Sequence, residues 1–300
     1  MIDTKKMATK PRMASTVILV REHDGELQVY LLKRSARSGF FPGTYVFPGG
    51  RVETEDQASG LWKAHVDLDI EEISQRFGGS LTEEEALTYG VTAIRETFEE
   101  AGAFLAYRNE YTQENLERVK DRRKVKELPK GWLNDLVVSQ GWMLAFSKVA
   151  RWSHWITPEG IPKRYKTRFF LAFMPTGQEC NPDARETTHG IWVSPEKGLI
   201  GNLQGEIPLS PPTLVTLHEL LQYSDMRDLK KEVQARTWGE ALLPRMIRLP
   251  KGTLILEPWD PMSKKELEIG ARGLEMKSLP VGEPFSRLWD NGGIWRPVGS

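Results

Sequence analysis

The segment Thr82–Gly102 limits what this chain can fold into more than any other stretch. Leu87, Val91, Ile94, Phe98 and Ala101 recur at helical spacing and define one apolar stripe. Glu96, Glu99 and Glu100 fall on the opposite side, within a sector of about 100°. Thr82 and Glu85 have the spacing of a capping box, and Gly102 is a natural stop. The pattern predicts a helix over about 83–101, buried along its back and carrying three carboxylates on its front. Such crowding is unfavourable by itself. Like charges one turn apart repel, and the macrodipole disfavours anions near a helix C-terminus. The residues four positions on from these glutamates are Glu100, Ala103 and Phe104, so only Arg95 offsets the charge locally. A hard divalent cation, held by carboxylates, waters and phosphate oxygens, would offset it. A solvated glutamate face is the alternative.

Composition removes several other classes. In 300 residues there are 41 Lys+Arg and 41 Asp+Glu, and this balance argues against a nucleic-acid partner, which usually demands a basic excess. The single cysteine, Cys180, excludes a disulfide scaffold and a multi-cysteine metal site. The longest apolar runs, such as Thr16–Val20, fall far short of the ~20 residues that cross a bilayer. Residues 1–15 are basic without an apolar segment, so no membrane partner and a cytoplasmic location are expected. No Gly-x-Ser-x-Gly elbow, Walker A loop or His-Glu-x-x-His array occurs.

Along the chain, Thr16–Arg21 and Glu26–Lys33 read as a hairpin turning at His23-Asp24-Gly25, and Thr44–Phe47 as a short strand. Residues 53–86 hold ten acids against Lys63 and Arg76. A basic helix is expected over 113–126 with a solvated face. Strands are expected at Arg168–Phe173 and Gly190–Val193, and a further helix at Pro211–Tyr223. Beyond about 226 the periodicity weakens, and that tail is expected to wrap the domain. Two stretches are basic and free of acids: Leu27–Val52, with Lys33, Arg34, Arg37 and Arg51, and Ile161–Gln178, with Lys163, Arg164, Lys166 and Arg168. Either could hold phosphates or simply keep the surface charged.

Phe47-Pro48-Gly49-Gly50 closes the short strand, and a Gly-Gly pair lets the backbone approach a ligand. Taken with Arg95-Glu96-x-x-Glu99-Glu100-x-Gly102, it resembles the Nudix box of the Nudix hydrolase superfamily. That box reads Gly-x5-Glu-x7-Arg-Glu-U-x-Glu-Glu-x-Gly-U, with U apolar. The second half matches apart from Thr97 at the first U. The box acid falls at Asp56 counted from Gly50, or at Glu55 counted from Gly49, and 38 residues separate Asp56 from Arg95 where the family has seven. An acidic insertion therefore splits the box. Leu31-Leu32-Lys33-Arg34-Ser35 through Gly43-x3-Phe47-Pro48-Gly49-Gly50 resembles the coenzyme A signature of Nudix coenzyme A diphosphatases. It departs at Lys33, where the signature has Thr, and at Gly39, where its second arginine would fall; Arg37 lies two residues earlier. A box interrupted by a long insert also resembles the acyl-coenzyme A diphosphatase branch, as do Arg164–Leu171 and Ser210–Thr213.

The resemblance implies an α/β fold, the Nudix α/β/α sandwich around a mixed sheet. It implies one domain over 1–300, with a core at about 14–225, an insertion at 53–82 and an extension at 226–300. It implies Glu96, Glu99 and Glu100 as ligands of Mg²⁺ or Mn²⁺, with Arg95 orienting a box carboxylate. Glu100 or Glu186 would be the base, the latter by a Glu-x5-Trp match to Trp192. Arg34, Arg37, Gly49 and Gly50 would bind a small-molecule substrate. The activity implied is hydrolysis of the diphosphate of coenzyme A or acyl-coenzyme A to 4′-phosphopantetheine and adenosine 3′,5′-bisphosphate. The alternatives are another nucleoside diphosphate derivative, such as NADH, ADP-ribose or a dinucleotide, and a non-catalytic nucleotide-binding regulator. Many Nudix enzymes are dimers, so a homodimer is also admitted.

Overall fold

A computed structural model of the protein describes residues 9–39, 41–108, 113–124, 128–183, 187–264, 277–290 and 292–299. The strands are β1 (Arg12–His23), β2 (Glu26–Arg34), β3 (Tyr45–Val46), β4 (Gly49–Arg51), β5 (Ala106–Tyr107), β6 (Met143–Leu144), β7 (Val149–Ile156), β8 (Tyr165–Phe173) and β9 (Thr187–Val193), followed by β10 (Arg245–Leu249), β11 (Gly252–Leu256), β12 (Arg287–Asp290) and β13 (Trp295–Val298). The helices are α1 (Ser59–Trp62), α2 (Ile70–Phe77), α3 (Glu83–Glu96), α4 (Gln113–Lys124), α5 (Trp132–Gln140), α6 (Pro195–Gln204), α7 (Pro211–Leu220) and α8 (Met226–Ala235).

The main sheet is mixed and runs β3-β2-β1-β8-β7, with β4 beside β1 and β9 beside β2. The β1–β2 hairpin turns through Asp24 and Gly25, both at positive φ, the type I′ geometry that matches strand twist. β8 lies parallel to β1 along its length, whereas β7 is antiparallel to β8. Beyond the hairpin pairs, β1 and β2 take different partners. Ala14–Thr16 of β1 pair with Gly49–Arg51, and Leu32–Lys33 of β2 pair with Tyr45–Val46. The Gly-Gly segment is thereby laid on the sheet as a strand, facing α3.

Successive strand residues point to opposite faces, and both faces are buried here. Val17, Leu19, Tyr30, Leu32 and Phe170 pack under α3 with Leu87, Val91, Ile94 and Phe98. Ile18, Val20, Val29, Leu31 and Leu171 pack on the other side with Leu214, Leu217 and Leu220 of α7 and Leu229 of α8. This is the expected three-layer sandwich. The apolar stripe of α3 is wholly buried, as its spacing required.

The acidic insertion is part of this core. Trp62, Val66, Ile73 and Phe77 from α1, α2 and the turn between them pack against α3. Its acids are spent locally. Asp69 and Glu72 form a capping box on α2, and Asp67 accepts from the Ser147 backbone N–H. The tail beyond 226 is more regular than its sequence suggested. β10–β13 form an antiparallel sheet of four strands, and Leu242 exchanges backbone hydrogen bonds with β7.

Phe170 lies 5.8 Å from the Phe77 ring and 5.1 Å from the Trp238 ring, so it ties sheet, insertion and tail together. Phe170→Ala is expected to destabilise the protein by about 3–5 kcal/mol, read as a fall in the urea midpoint. A midpoint within experimental error of the unaltered protein would contradict this packing.

Candidate functional site

α3 starts on the capping box foreseen from the sequence: Thr82 Oγ1 accepts from the Glu85 N–H at 3.2 Å, and Glu85 Oε2 accepts from the Thr82 N–H at 3.1 Å. Its C-terminal end departs from an ideal helix. Thr97–Ala101 form a single π-helical turn, closed by Gly102 in the left-handed region at φ 75°. Such turns recur at functional sites because they re-aim side chains. Glu96, just before this turn, and Glu99 and Glu100 within it line one cleft.

Arg95 organises the cluster from within the protein. It is 6% exposed. Its Nε and Nη2 donate to the two carboxylate oxygens of Asp56, each at 2.8 Å, a bidentate pair. Its Nη1 donates to Glu96 Oε1 and Glu99 Oε2, each at 2.9 Å, and Nη2 also reaches the Arg51 carbonyl oxygen. Asp56 is 1% exposed and accepts further from the Thr92 hydroxyl and the Glu53 N–H, both at 2.9 Å. Of the two box-acid positions open in the sequence, Asp56 is therefore the one that meets Arg95. Glu55 lines the cleft without a bond to Arg95 among those described. Burial works against the Arg95 charge, but its bonds to Asp56 and the charges of Glu96, Asp56 and Glu99 outweigh that penalty and hold the guanidinium firmly protonated.

Gly49 and Gly50 are explained by close approach. The Gly49 N–H donates to Glu100 Oε2 at 2.8 Å, and a Cβ there would meet the Ser15 carbonyl oxygen. A Cβ on Gly50 would land on the Glu96 carboxylate. Two contacts on these glutamates, one to a carboxylate and one to the backbone, had no signal in the motif. Trp132, on α5, donates from Nε1 to Glu99 Oε1 at 2.5 Å while its ring packs 5.1 Å from Phe98. Arg123, on α4, donates to the carbonyl oxygens of Glu99 and Glu100 and to that of Asn181. The face of α4 is thus not wholly solvated: Leu116 and Val119 are buried and Arg123 caps the box helix. A basic run conceals one inward arginine among several outward ones, so its composition gave no hint.

The other sequence candidates divide. Arg34 lines the cleft and is steadied by Ser38 Oγ at 2.8 and 3.0 Å. Arg37 sits on the exposed turn after it, outside the cleft lining. Glu186 lies outside the described residues. In the second basic stretch, Lys163 lines the cleft, and its Nζ is 3.2 Å from where a Cβ of Gly39 would sit. A cation thus stands beside the position at which the signature's second arginine is missing. The rest of that stretch is engaged elsewhere. Arg164 donates to Thr157 and Thr9 carbonyl oxygens, Lys166 pairs with Glu85, and Arg168 is 2% exposed against Ser80 and the Trp238 ring.

The donor set suits a hard divalent cation: three carboxylates on one cleft of about 1230 Å³, with no soft ligand among them. Among the described residues, no three acids, histidines or cysteines converge as a finished cage, and Arg95, Trp132 and Gly49 each bond a carboxylate of the cluster. Glu96 registers the cost of this crowding. Burial raises its pKa from 4.5 to about 8, against the pull of Arg95 and helped by the charge of Glu99. Burial also raises Glu99, against Arg95 and the Trp132 bond.

A mixed-sheet sandwich that carries a glycine-paired strand against an Arg-Glu-x-x-Glu-Glu helix defines a Nudix protein, a class that generally uses divalent metal ions. The chain belongs to the family described as the NUDT19 Nudix domain, whose sequence model matches residues 7–220. It is 25% identical to acyl-coenzyme A diphosphatase NUDT19 of Xenopus laevis, over 91% of this chain and 80% of that protein. It is 29% identical to the protein of the same name from Gallus gallus, over 78% of this chain and 72% of that one. Among solved structures, a NUDIX hydrolase from Alicyclobacillus acidocaldarius superposes with a TM-score of 0.62 at 22% identity, covering 77% of this chain and 99% of that one, which supports the fold. Among the described residues, no helix is long and apolar enough to cross a membrane.

Glu96 gives a pH prediction. Between 4.5 and about 8 the folded protein binds a proton on Glu96 that the unfolded chain does not, so the stability this contributes is lost as pH rises through that window. Chelator-treated protein is expected to melt at a falling temperature from this group. Glu257, also raised to about 8 by burial, adds to the slope, so the comparison is with Glu96→Gln. That variant should lose part of the slope, and an identical slope in both proteins would contradict the assignment.

Proposed function

We propose that this protein hydrolyses the diphosphate of coenzyme A or an acyl-coenzyme A, using Mg²⁺ or Mn²⁺. The products would be 4′-phosphopantetheine, acylated or free, and adenosine 3′,5′-bisphosphate. The observation that carries this reading is the placement of Glu96, Glu99, Glu100 and the Gly49-Gly50 strand on one cleft, braced by the Asp56–Arg95 pair. The names of the relatives and the partial coenzyme A signature at 31–50 support the substrate.

In this reading Glu96, Glu99 and Glu100 hold the cation. When bound, a divalent cation supplies charge neutralisation at the diphosphate and a lower pKa for the attacking water. The residues do the rest by position. Arg95 fixes Glu96 and Glu99 relative to the sheet, and Trp132 fixes the second oxygen of Glu99. The Gly49 N–H turns the Glu100 carboxylate, which is 7% exposed, into the cleft. Glu100 then takes the proton of the attacking water, with Glu186 as the other carboxylate open to that role. Water oxygen bonds to one phosphorus, and the bridging oxygen leaves with the other phosphate. Arg34 and Lys163 attract the substrate's phosphates to the mouth.

Glu99→Gln and Glu100→Gln are each expected to lower kcat on coenzyme A by about 100-fold or more, measured with saturating Mg²⁺ or Mn²⁺. Activity kept within a few-fold would contradict the metal and base roles. A substrate panel should rank coenzyme A or an acyl-coenzyme A above NADH and ADP-ribose in kcat/KM; the reverse order would overturn the proposed substrate.

A further inference from the structure

The cleft is larger and less polar than the hydrolysis of a diphosphate requires. Ligand pockets commonly measure about 300–1,000 Å³, and this one is about 1230 Å³. Part of its wall comes from the C-terminal sheet, beyond the residues 7–220 that carry the family match.

Strand register shows how. Met246 faces Ile255 across β10 and β11, while Thr253 faces Asp290, which in turn faces Trp295. Side chains alternate along a strand, so Met246, Thr253, Ile255 and Trp295 share one face of this sheet. All four line the cleft. Ile247, Leu254, Leu256 and Val298 turn to the opposite face, where they form a small core of their own. The sheet therefore has two apolar faces with different duties: one holds it together, and the other packs through Ile255, Leu288 and Trp295 on the core of the main sheet and lines the cleft. Facing the same space from the main sheet are Trp155 and Phe169, 5% and 6% exposed, with ring centroids 6.5 Å apart.

We propose that this C-terminal sheet, with Trp155 and Phe169, forms the subsite for the aliphatic arm of the substrate, the acyl-pantetheine thioester chain. The inference rests on the function proposed above and adds a specificity device to it. The choice of occupant follows from continuity. The apolar wall and the carboxylates of α3 line one cleft, so an arm attached to the group being hydrolysed lies within the space the wall borders. Arg34 and Lys163 line the same cleft and suit the phosphates, so the apolar wall is left for an uncharged chain. A nucleoside diphosphate without such an arm would leave the half-buried Met246 and Thr253 of this wall without an apolar partner.

The test is a chain-length series. The unaltered protein is expected to show kcat/KM rising from coenzyme A through butanoyl-, octanoyl- and dodecanoyl-coenzyme A, up to roughly fourfold per methylene at full burial. Met246→Glu should abolish that rise and lower kcat/KM for octanoyl-coenzyme A at least tenfold more than for ADP-ribose, while Met246→Leu keeps it. Should Met246→Glu not fold, Thr253→Phe adds bulk on the same face without charge and should shorten the longest chain accepted. A flat series in the unaltered protein, a slope surviving Met246→Glu, or an unchanged longest chain in Thr253→Phe, would overturn the subsite and leave the proposed function standing. Inactivity of the unaltered protein on every acyl-coenzyme A, with cleavage of another nucleoside diphosphate, would overturn both.

Discussion

Asp56 and Arg95 meet inside the sandwich across 38 intervening residues, and the geometry of the site follows from their contact. Removing a charge of this kind from water costs several kcal/mol, and only a partner with matched geometry and satisfied hydrogen bonds offsets the cost. Both conditions hold. The pair is bidentate, and the remaining capacity of Asp56 is filled by the Thr92 hydroxyl and the Glu53 N–H. Arg95 is thereby fixed with one nitrogen left to reach Glu96 and Glu99. Without that anchor, Glu96 and Glu99 would lose their shared cation and the charges on this turn would repel one another unopposed.

The insertion does not disturb this contact because its own packing holds it in place. It leaves just after Asp56 and returns through α2 into the capping box of α3. Between those points it buries Trp62, Val66, Ile73 and Phe77 on the flank of the helix it interrupts. A loop that packs on its own attachment points does not drag them apart. The segment 106–148 acts similarly on the other side. α5 brings Trp132 to Glu99, and Phe98, Phe104, Trp132 and Trp142 form a chain of rings behind the glutamates.

Much of this was legible in the sequence. The amphipathic pattern of α3, its capping box, its Gly102 stop and the Asp24-Gly25 hairpin rest on local rules, and the structure agrees with them; the closeness of Gly49-Gly50 to the glutamates was implied by the resemblance to the Nudix box. What was not legible depends on non-local contact. Nothing in the composition of Thr97–Ala101 announces a π-helical turn. Arg123 and Trp132 were invisible because each lies in a segment whose composition suggests surface or ordinary core. The C-terminal sheet was hidden for the same reason: Leu254-Ile255-Leu256 has no alternation, since both faces of β11 are buried. Arg164 and Arg168 were ambiguous in an acid-free stretch, and both turned out to be buried and engaged away from the cleft.

The central claim is that a pair separated in sequence acts as one unit to set the carboxylates. A double-mutant cycle on Asp56→Asn and Arg95→Lys, read as kcat/KM for coenzyme A hydrolysis at saturating Mg²⁺, tests it most directly. Each single change is expected to cost about 100-fold and the two together little more, because the second removes a contact already lost. Losses that multiply, so that the double variant falls by about 10,000-fold, would show that the two residues act independently and would contradict the account.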